Sequence, residues 1–566
     1  MYILVSASPE DRGRVTLRQV SAEGRVFDSH TVDEGNFAAT VELLNEDDVR
    51  WVWSDTSYWY PKLLRQSVEV LRCHDLRLCH VILKNSEWTR GASRFEAPNP
   101  LWEGIATPSA ANTGANTLFD GEESFDGLAL QGASSPIDFD ESLLEFRRQL
   151  EVVAGSRYSE RLALLLVAES AGALAAAEML HYGIPWRADV HARLLSDILG
   201  PRPQRGERPA QMEQLVSRIR KALDNPSVNP DSQQDLLRSL KRAGLAVSST
   251  SKWELRDIKH PVIEPLLRYK KLSRLYTANG WNWLDTWVRD GRFHAEYIVG
   301  GVVTGRWAAH GGGALQLPAV VRPAVVADPG WKLVVADAAQ LEPRILSAIS
   351  GDVAMADAGR GQDLYQALVD RGVVDTREHA KIAMLGALYG STTGRSASLM
   401  PRLVAAFPRA LRLVEDAARE GESGGIVTTW LGRSSPSPEG EWWVELIRNP
   451  ESPAEPRREK ARSKARAWGR FTRNFVCQGS AAEWALCWLA GLRTRLTQLG
   501  DSRARPYLAY FLHDEVVVHT PEEYAEEVVE LVREAAAEAG RLLFGVFPVE
   551  FPVEAIIADS YSDAKK

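Results

Sequence analysis

The chain is short of several things that would have fixed its class at once. It has four cysteines in 566 residues, which rules out a disulfide scaffold and fits a reducing compartment. No internal repeat is visible, so a solenoid or propeller is excluded. No apolar run approaches the ~18–20 residues of a bilayer span, so a membrane is not an expected partner. The opening MYILVSASPEDRGR lacks the basic-then-apolar order of a secretory leader, and a cytoplasmic location is expected. What remains is ordinary for a globular chain, with 45% hydrophobic and 25% charged residues. The length suggests three or four structural units.

The net charge of −8 argues at first against a polyanionic partner, but the charge is unevenly placed. Residues 1–150 carry 24 Asp and Glu against 14 Lys and Arg, a net of −10, so the remainder is −8 − (−10) = +2. Cations concentrate in PRREKARSKARAWGRFTR at 456–473, and local charge, not the total, attracts phosphates. Residues 1–87 read as short strands (YILVS, VTLRQV, VRWVW) alternating with helical stretches such as KLLRQSVEVL, an α/β layer. Residues 96–140 have no period and are rich in Gly, Ser, Ala, Asn and Pro, which predicts a flexible linker. Helices are expected from about 141, including ERLALLLVAESAGALAAAEMLHYG ending at Gly183, then at 210–223, 232–243 and 261–279. Cys73-His74 and Cys79-His80 fit no common zinc spacing and read as buried core.

Two carboxylates carry the strongest chemical signal. WKLVVADAAQLEPRIL puts Asp337 after an apolar strand and before a helix. YLAYFLHDEVVVHT puts Asp514 and Glu515 at the junction of two apolar strands, a hairpin pattern. Converging strand-end carboxylates can hold a pair of Mg²⁺ ions about 3.5–4 Å apart for phosphoryl transfer, whereas an isolated Asp after a strand often only caps the following helix. A third piece is TREHAKIAMLGALYG, in which Thr376 can cap a helix. Arg377, Lys381, Leu385 and Tyr389 recur every four residues, drifting by about 40° each, and share one broad face. Arg377 to Tyr389 spans roughly 18 Å, about the length of a nucleoside triphosphate. The basic N-terminal half suits phosphates and the aromatic end suits a base; an amphipathic helix with solvated cations is the alternative.

These pieces, in this order, resemble the family A DNA polymerases. The family's palm motif D-x-S-Q-x-E-x-R is matched by Asp337, Gln340, Glu342 and Arg344. Its fingers motif R-x3-K-x7-Y-G is matched by Arg377, Lys381, Tyr389 and Gly390, and its H-D-E by His513, Asp514 and Glu515. Thr304-Gly305-Arg306 with Leu315-Gln316 resembles the T-G-R…L-Q segment, and Arg470, Asn474, Gln478 and Gly479 resemble R-x3-N-x3-Q-G. LLRYKKLSRLYT at 266–277 is similar to the helix leading from thumb to palm. The Arg-rich, Lys-poor composition is similar to an actinobacterial branch of the family.

The resemblance implies a multidomain α/β protein, a right-hand polymerase with palm, fingers and thumb behind an N-terminal RNase H-like, exonuclease-like α/β domain. The expected divisions are 1–95 for that domain, 96–140 for the linker and 141–300 for the thumb and preceding helices. The palm is expected at 301–362 and 426–566, with the fingers at 363–425. It implies a DNA-directed DNA polymerase, a nucleotidyltransferase of DNA replication and repair. Its partners would be primer–template DNA and dNTPs, its cofactor two Mg²⁺ ions with Mn²⁺ as an alternative, and its state a nucleoid-associated monomer. Asp337, Asp514 and the Ala338 carbonyl would bind metal, with Asp337, Asp514, Glu515 and Lys381 catalytic. Gln340, Glu342, Arg377, Lys381, Leu385, Tyr389 and His513 would surround the nucleotide. Glu342 and Tyr389 would pack on its sugar. Arg306, Gln316, Arg470, Asn474 and Gln478 would contact DNA, in the minor groove, where acceptors are nearly independent of sequence.

The chain departs from the family where Tyr-Ser is replaced by Ala338-Ala339, where Leu385 replaces an aromatic, and where His310 to Gly313 is Gly-rich. Pro343 after Glu342 is tolerable only in a helix's first turn. The opening strand YILVSAS carries no acid where the family's exonuclease has D-x-E, so the N-terminal domain is expected to be inactive. Two other readings are an active proofreading exonuclease with unrecognised acids, and a silent DNA-binding protein on a polymerase scaffold.

Overall fold

The structure is a computed structural model. It describes residues 1–7, 13–46, 48–91, 95, 99–103, 137–204, 206–309, 317–390, 394–438, 440, 442–443, 455–500 and 504–565. The chain divides into two compact units. The first holds Met1–His181, Tyr297–Ala308 and Val334–Ile557; the second holds Tyr182–Glu296, Ala309–Leu333 and Ala558–Lys566.

The first unit opens with a five-stranded mixed sheet. Tyr2–Ala7 pairs antiparallel with Arg14–Val20, which pairs antiparallel with Val26–Asp33. On its other side Tyr2–Ala7 runs parallel to Arg50–Trp53, and that strand parallel to Cys73–Asp75. Period-two alternation gives the sheet two apolar faces. Ile3, Val5, Val15 and Leu17 pack on Trp59, Tyr60 and Leu63, while Leu4 and Val52 pack on Trp102, Phe139 and Phe146. Trp102 and Phe139 lie inside the span expected to be a linker, and both are docked on the sheet; residues 104–136 lie outside the described residues. The helix expected across KLLRQSVEVL stops at Leu64. Ser67 turns left-handed at φ 60°, which lets Val68 and Val70 enter the core instead of continuing a helix that would expose them. Cys73 and His74 lie in a strand and Cys79 and His80 in the helix Leu76–Asn85, all buried; His74 Nε2 is bonded to Gln149 (2.7 Å) and His80 Nδ1 to Glu145 (2.9 Å), as core residues.

The helix Ser159–Tyr182 corrects one expectation: it is long and apolar enough to cross a membrane, with 72% of its apolar window buried inside the protein. Two of its buried residues are carboxylates, Glu169 paired to Arg433 (2.8 Å) and Glu178 paired to Arg493 (2.6 Å). A helix is apolar on all sides when protein surrounds it on all sides, and these ion pairs suit that interior.

A four-stranded sheet supports the candidate site, in the order Tyr507–Leu512, Glu515–Pro521, Trp331–Ala338, Val553–Ala558. The long helix Glu455–Leu496 and the helix Ala525–Phe544 cover it, with Trp484, Trp488, Leu489, Val528 and Val532 packed with Val334, Ala336, Val516 and Val518. A separate core lies between the helix Arg377–Tyr389 and its neighbours, where Ala380, Ala383, Met384 and Leu388 meet Leu346, Leu364, Phe407 and Leu411.

The second unit contains the helices Ala188–Leu199, Ala210–Ala222, Gln233–Arg242, Ile263–Asn279 and Trp281–Trp287, with a small sheet of Ile184–Pro185, Arg292–Phe293 and Val288–Arg289. Three of these helices fall within a residue or two of the bounds that apolar periodicity predicts.

Candidate active site

Asp337 is the penultimate residue of the strand Trp331–Ala338. The next helix, Leu341–Ser350, begins three residues further on behind Gln340, so Asp337 is not its cap. Gln340 takes the left-handed conformation at φ 53°, which ends the strand and turns the chain into the helix. Pro343 sits in the first turn, the only place it could be accommodated. Asp514 lies in the two-residue loop of the hairpin, where Leu512 faces Glu515 and His513 takes φ 56°. Two-residue hairpin loops favour positive φ, and His is among the few side chains that tolerate it. Asp514 leads into the strand that neighbours the one carrying Asp337, and the Ala338 N–H donates to the Asp514 carbonyl (2.8 Å). Burial first, and the negative charge of Asp337 second, push the Asp514 pKa up to about 6. His513 is exposed at the hairpin tip but sits in a recess, where desolvation first and the Arg306 cation second hold its pKa down at about 4. Glu515 is buried at the start of its strand and does not line the cleft.

A cleft of about 300 Å³ opens beside Asp514, with Asp337 and Ala338 outside its lining. Its lining includes Arg306, Gln340, Glu342, Lys381, Leu385, Tyr389, His513 and Asp514, all expected site residues, together with Tyr365 and Phe511. The helix Arg377–Tyr389 forms one wall. Thr376 Oγ1 accepts from the His379 N–H (3.2 Å) to cap it, and Gly390 ends it at φ 71°. A Cβ at Gly390 would also stand 3.0 Å from the Arg470 side chain, a tight contact in addition to the left-handed backbone that favours glycine. Lys381 is exposed on the cleft side, and Leu385 is half-buried between cleft and core. The Tyr389 hydroxyl donates to Glu342 Oε2 (2.7 Å), and Glu342 Oε1 takes the Arg306 guanidinium. Burial first and the Glu342 charge second raise the Tyr389 pKa, so the hydroxyl remains a donor.

Arg377 is outside the cleft lining. It pairs with Asp363 (2.7 Å), which also accepts from Gln340 Nε2 (2.7 Å) and from the Gln366 N–H (2.8 Å). Burial acts to raise the Asp363 pKa, but the Arg377 hydrogen bond and charge with the neighbouring N–H groups outweigh it and hold it low. Asp363 was missed from sequence; its signal was that of a helix cap ahead of LYQALVD. Arg344 does not pair with Glu342. It donates to the backbone carbonyls of Ala339, Gly359, Gln362 and Glu550 and so clamps the strand–helix junction.

Arg470, Asn474 and Gln478 recur every four residues on the long helix and share one side of it. Asn474 Oδ1 is shielded from solvent with no hydrogen-bond partner among the described residues. Gly479 is required because a Cβ there would strike Thr429 and stand 3.1 Å from the Thr304 carbonyl. Lys460, Arg462, Lys464 and Arg466 are exposed near the start of this helix. Gln316 and His310 to Gly313 lie outside the described residues.

Comparison with known proteins agrees with this geometry. The family model for DNA polymerase family A matches residues 202–563, more than half of the chain. The thermostable DNA polymerase I of Thermus filiformis is 28% identical over 326 residues, 52% of this chain and 35% of the relative. The DNA polymerase I of Chloroflexus aurantiacus is 27% identical over 349 residues, 56% of this chain and 34% of the relative. The match thus spans about a third of the length of these curated relatives. Among solved structures, the POL domain of Pol1 from M. smegmatis, in complex with DNA primer-template and dNTP, is similar with a TM-score of 0.65 at 18% identity. The alignment covers 100% of this chain and 96% of that one. From the strand-end carboxylates to the family model that spans them, the observations converge: the chain belongs to DNA polymerase family A.

Proposed function

We propose that the protein is a template-dependent DNA polymerase that adds dNTPs to a primer 3′-hydroxyl and serves DNA replication or repair. The observation that carries this reading is the meeting of Asp514, beside Asp337, with Lys381, Tyr389 and Glu342 around one cleft. In the proposed assignment, the four-stranded sheet is the palm, 363–425 the fingers and the second unit the thumb.

The residues fit a divalent metal site. Burial first and the neighbouring Asp337 charge second disfavour ionisation of Asp514, a penalty that a bound cation would relieve. Asp337, Asp514 and the Ala338 carbonyl would hold the metal. Bound there, two Mg²⁺ ions supply a lowered pKa at the primer hydroxyl and neutralise charge on the triphosphate. The remaining work belongs to the chain itself. Lys381, with Arg377 once released from Asp363, holds the triphosphate by charge-assisted hydrogen bonds. Tyr389 and Glu342 form a wall against the sugar. Arg470, Asn474 and Gln478 contact the duplex from one side of their helix, and the buried Asn474 oxygen gains a donor there.

Primer extension on a defined template tests the proposal. Asp337→Ala and Asp514→Ala should each abolish extension while gel-shift affinity for primer–template survives, because neither removes a DNA-contacting cation. Extension above a few per cent of wild type in either variant would sink the metal assignment. A wild type that binds DNA but never extends a primer would support the silent-scaffold reading instead.

A further inference from the structure

Glu342 is held from two directions by elements far apart in sequence. Its Oε2 takes the Tyr389 hydroxyl at 2.7 Å, and its Oε1 takes the Arg306 guanidinium. Both partners of that ion pair are largely buried, at 21% and 14% exposure, so water competes weakly for it.

The two holders differ in kind. Tyr389 ends the helix Arg377–Tyr389. Arg306 ends a tight turn in which the Gly305 N–H donates to the Val302 carbonyl (2.8 Å) and the Val302 N–H to the Arg306 carbonyl (3.0 Å). That turn is wedged in place. Gly305, at φ 83°, leaves room for only a hydrogen, since a Cβ there would stand 2.5 Å from Arg433 Nε. Arg433 is itself pinned by the buried Glu169 (2.8 Å). The Thr304 carbonyl lies against Gly479 of the long helix. Arg306 therefore projects from a braced platform.

A carboxylate held through one oxygen can still swing about its terminal torsion, a broad and nearly two-fold rotor. Holding the second oxygen with a charge-assisted bond from a braced base fixes the plane as well. We propose that Arg306, acting through Glu342, is a positioning residue for selection of the sugar of the incoming nucleotide. The inference rests on the polymerase reading above, and it gives Arg306 a role besides the DNA contact expected from sequence. A loss of DNA contact alone weakens deoxy- and ribonucleotide use alike. Loss of the clamp lets the carboxylate yield to a 2′-hydroxyl and affects the ribonucleotide selectively.

The test compares kcat/KM for a dNTP and its matching rNTP on one primer–template, using the full chain. The proteins are wild type, Glu342→Ala, Arg306→Ala, Arg306→Lys and the double variant Arg306→Ala/Glu342→Ala. Glu342→Ala should shift the ratio toward rNTP by about a hundredfold and Arg306→Ala by about tenfold. Arg306→Lys keeps the charge without the planar fork and should lie between wild type and Arg306→Ala; it carries the test if the alanine variant folds poorly. The double variant should match Glu342→Ala alone, because without Glu342 there is nothing left to position. An unchanged ratio in both Arg306 variants, or a double variant whose shift is the product of the singles, would overturn the inference while leaving the polymerase reading intact. Absence of template-directed extension by wild type would overturn both.

Discussion

Arg493 offers the sharpest test of how the N-terminal sheet is joined to the helix beneath the candidate site. It lies on the long helix at 3% exposure and spends its whole guanidinium on the interior. Nε and one terminal nitrogen hold both oxygens of Glu178 (2.8 and 2.6 Å). The terminal nitrogens also reach the carbonyls of Leu71 (3.1 Å) and Val70 (2.6 Å), and the Tyr60 hydroxyl (3.2 Å). Arg493→Met keeps the apolar stem and removes the fork. The buried Glu178 charge is left unpaired, at a cost of about 3–5 kcal/mol. Two backbone carbonyls lose a donor, at about 1 kcal/mol each, so a loss on the order of 5 kcal/mol is expected. Glu178→Met in the same chain should recover about 2 kcal/mol, since removing both partners spares the uncompensated charge. Equilibrium denaturation of the full chain, followed by its intrinsic tryptophan fluorescence, to which Trp51, Trp53 and Trp59 of the N-terminal core contribute, reads the difference. A single-variant loss below about 1 kcal/mol, or a double variant less stable than the single, would refute the reasoning.

Other outcomes follow from the same structure. Lys381→Ala should raise KM for dNTP about tenfold or more and lower kcat, with DNA affinity little changed, because a charge-assisted bond to phosphate is worth about 1.5–3 kcal/mol; a selective loss of DNA affinity would instead place Lys381 on the duplex. A mismatched primer incubated with Mg²⁺ and no dNTP should keep its length, since the opening strand has no acid and Asp75 is committed to Thr56 and the Leu78 N–H. Shortening that persists in Asp514→Ala would show that the N-terminal domain cuts. Glu483 is buried and its pKa is raised to about 7, burial being the first cause. A carboxylate raised on folding binds its proton more tightly in the native state, so its contribution is full below pH 4.5 and is lost as pH rises towards 7. On the order of 3 kcal/mol of stability should vanish over that window, and Glu483→Gln should flatten the change; an identical pH profile in the variant would contradict the assignment.

What could be read from the sequence was local. The helices at 210–223, 232–243 and 261–279 announced themselves because each has one apolar stripe and a polar remainder. The four-residue beat of Arg377, Lys381, Leu385 and Tyr389 gave a face, and the structure puts Lys381, Leu385 and Tyr389 of that face in the cleft. Strand-end acids marked Asp337 and Asp514 because a carboxylate there breaks an apolar run. What stayed hidden was the pairing of distant residues. Tyr60, Glu178 and Arg493 are separated by 118 and 315 residues, and nothing in the local pattern of any one implies the others. Asp363 looked like a cap and is one, but its second oxygen organises Gln340 and Arg377. The surroundings of the helix Ser159–Tyr182 stayed hidden, because burial of most of its surface leaves no continuous polar face from which to infer them.

The Trp88 edge of the N-terminal region has a consequence for how this chain could shrink. Gly432, at φ 105°, lies so close to the Trp88 ring that a Cβ would collide with it. Ser86 Oγ donates to the Gly432 carbonyl (2.7 Å), and the Glu87 N–H donates to Ser434 (2.8 Å). The loop so gripped carries Arg433, which wedges Gly305 beneath Arg306. Cutting away the first 95 residues would therefore do more than discard a domain that lacks acids on its first strand. It would take the abutment from under an arch whose keystone is an arginine in the cleft. The first strand carries no acid, but the tryptophan edge braces the cleft, and a minimal fragment that keeps this brace begins before it.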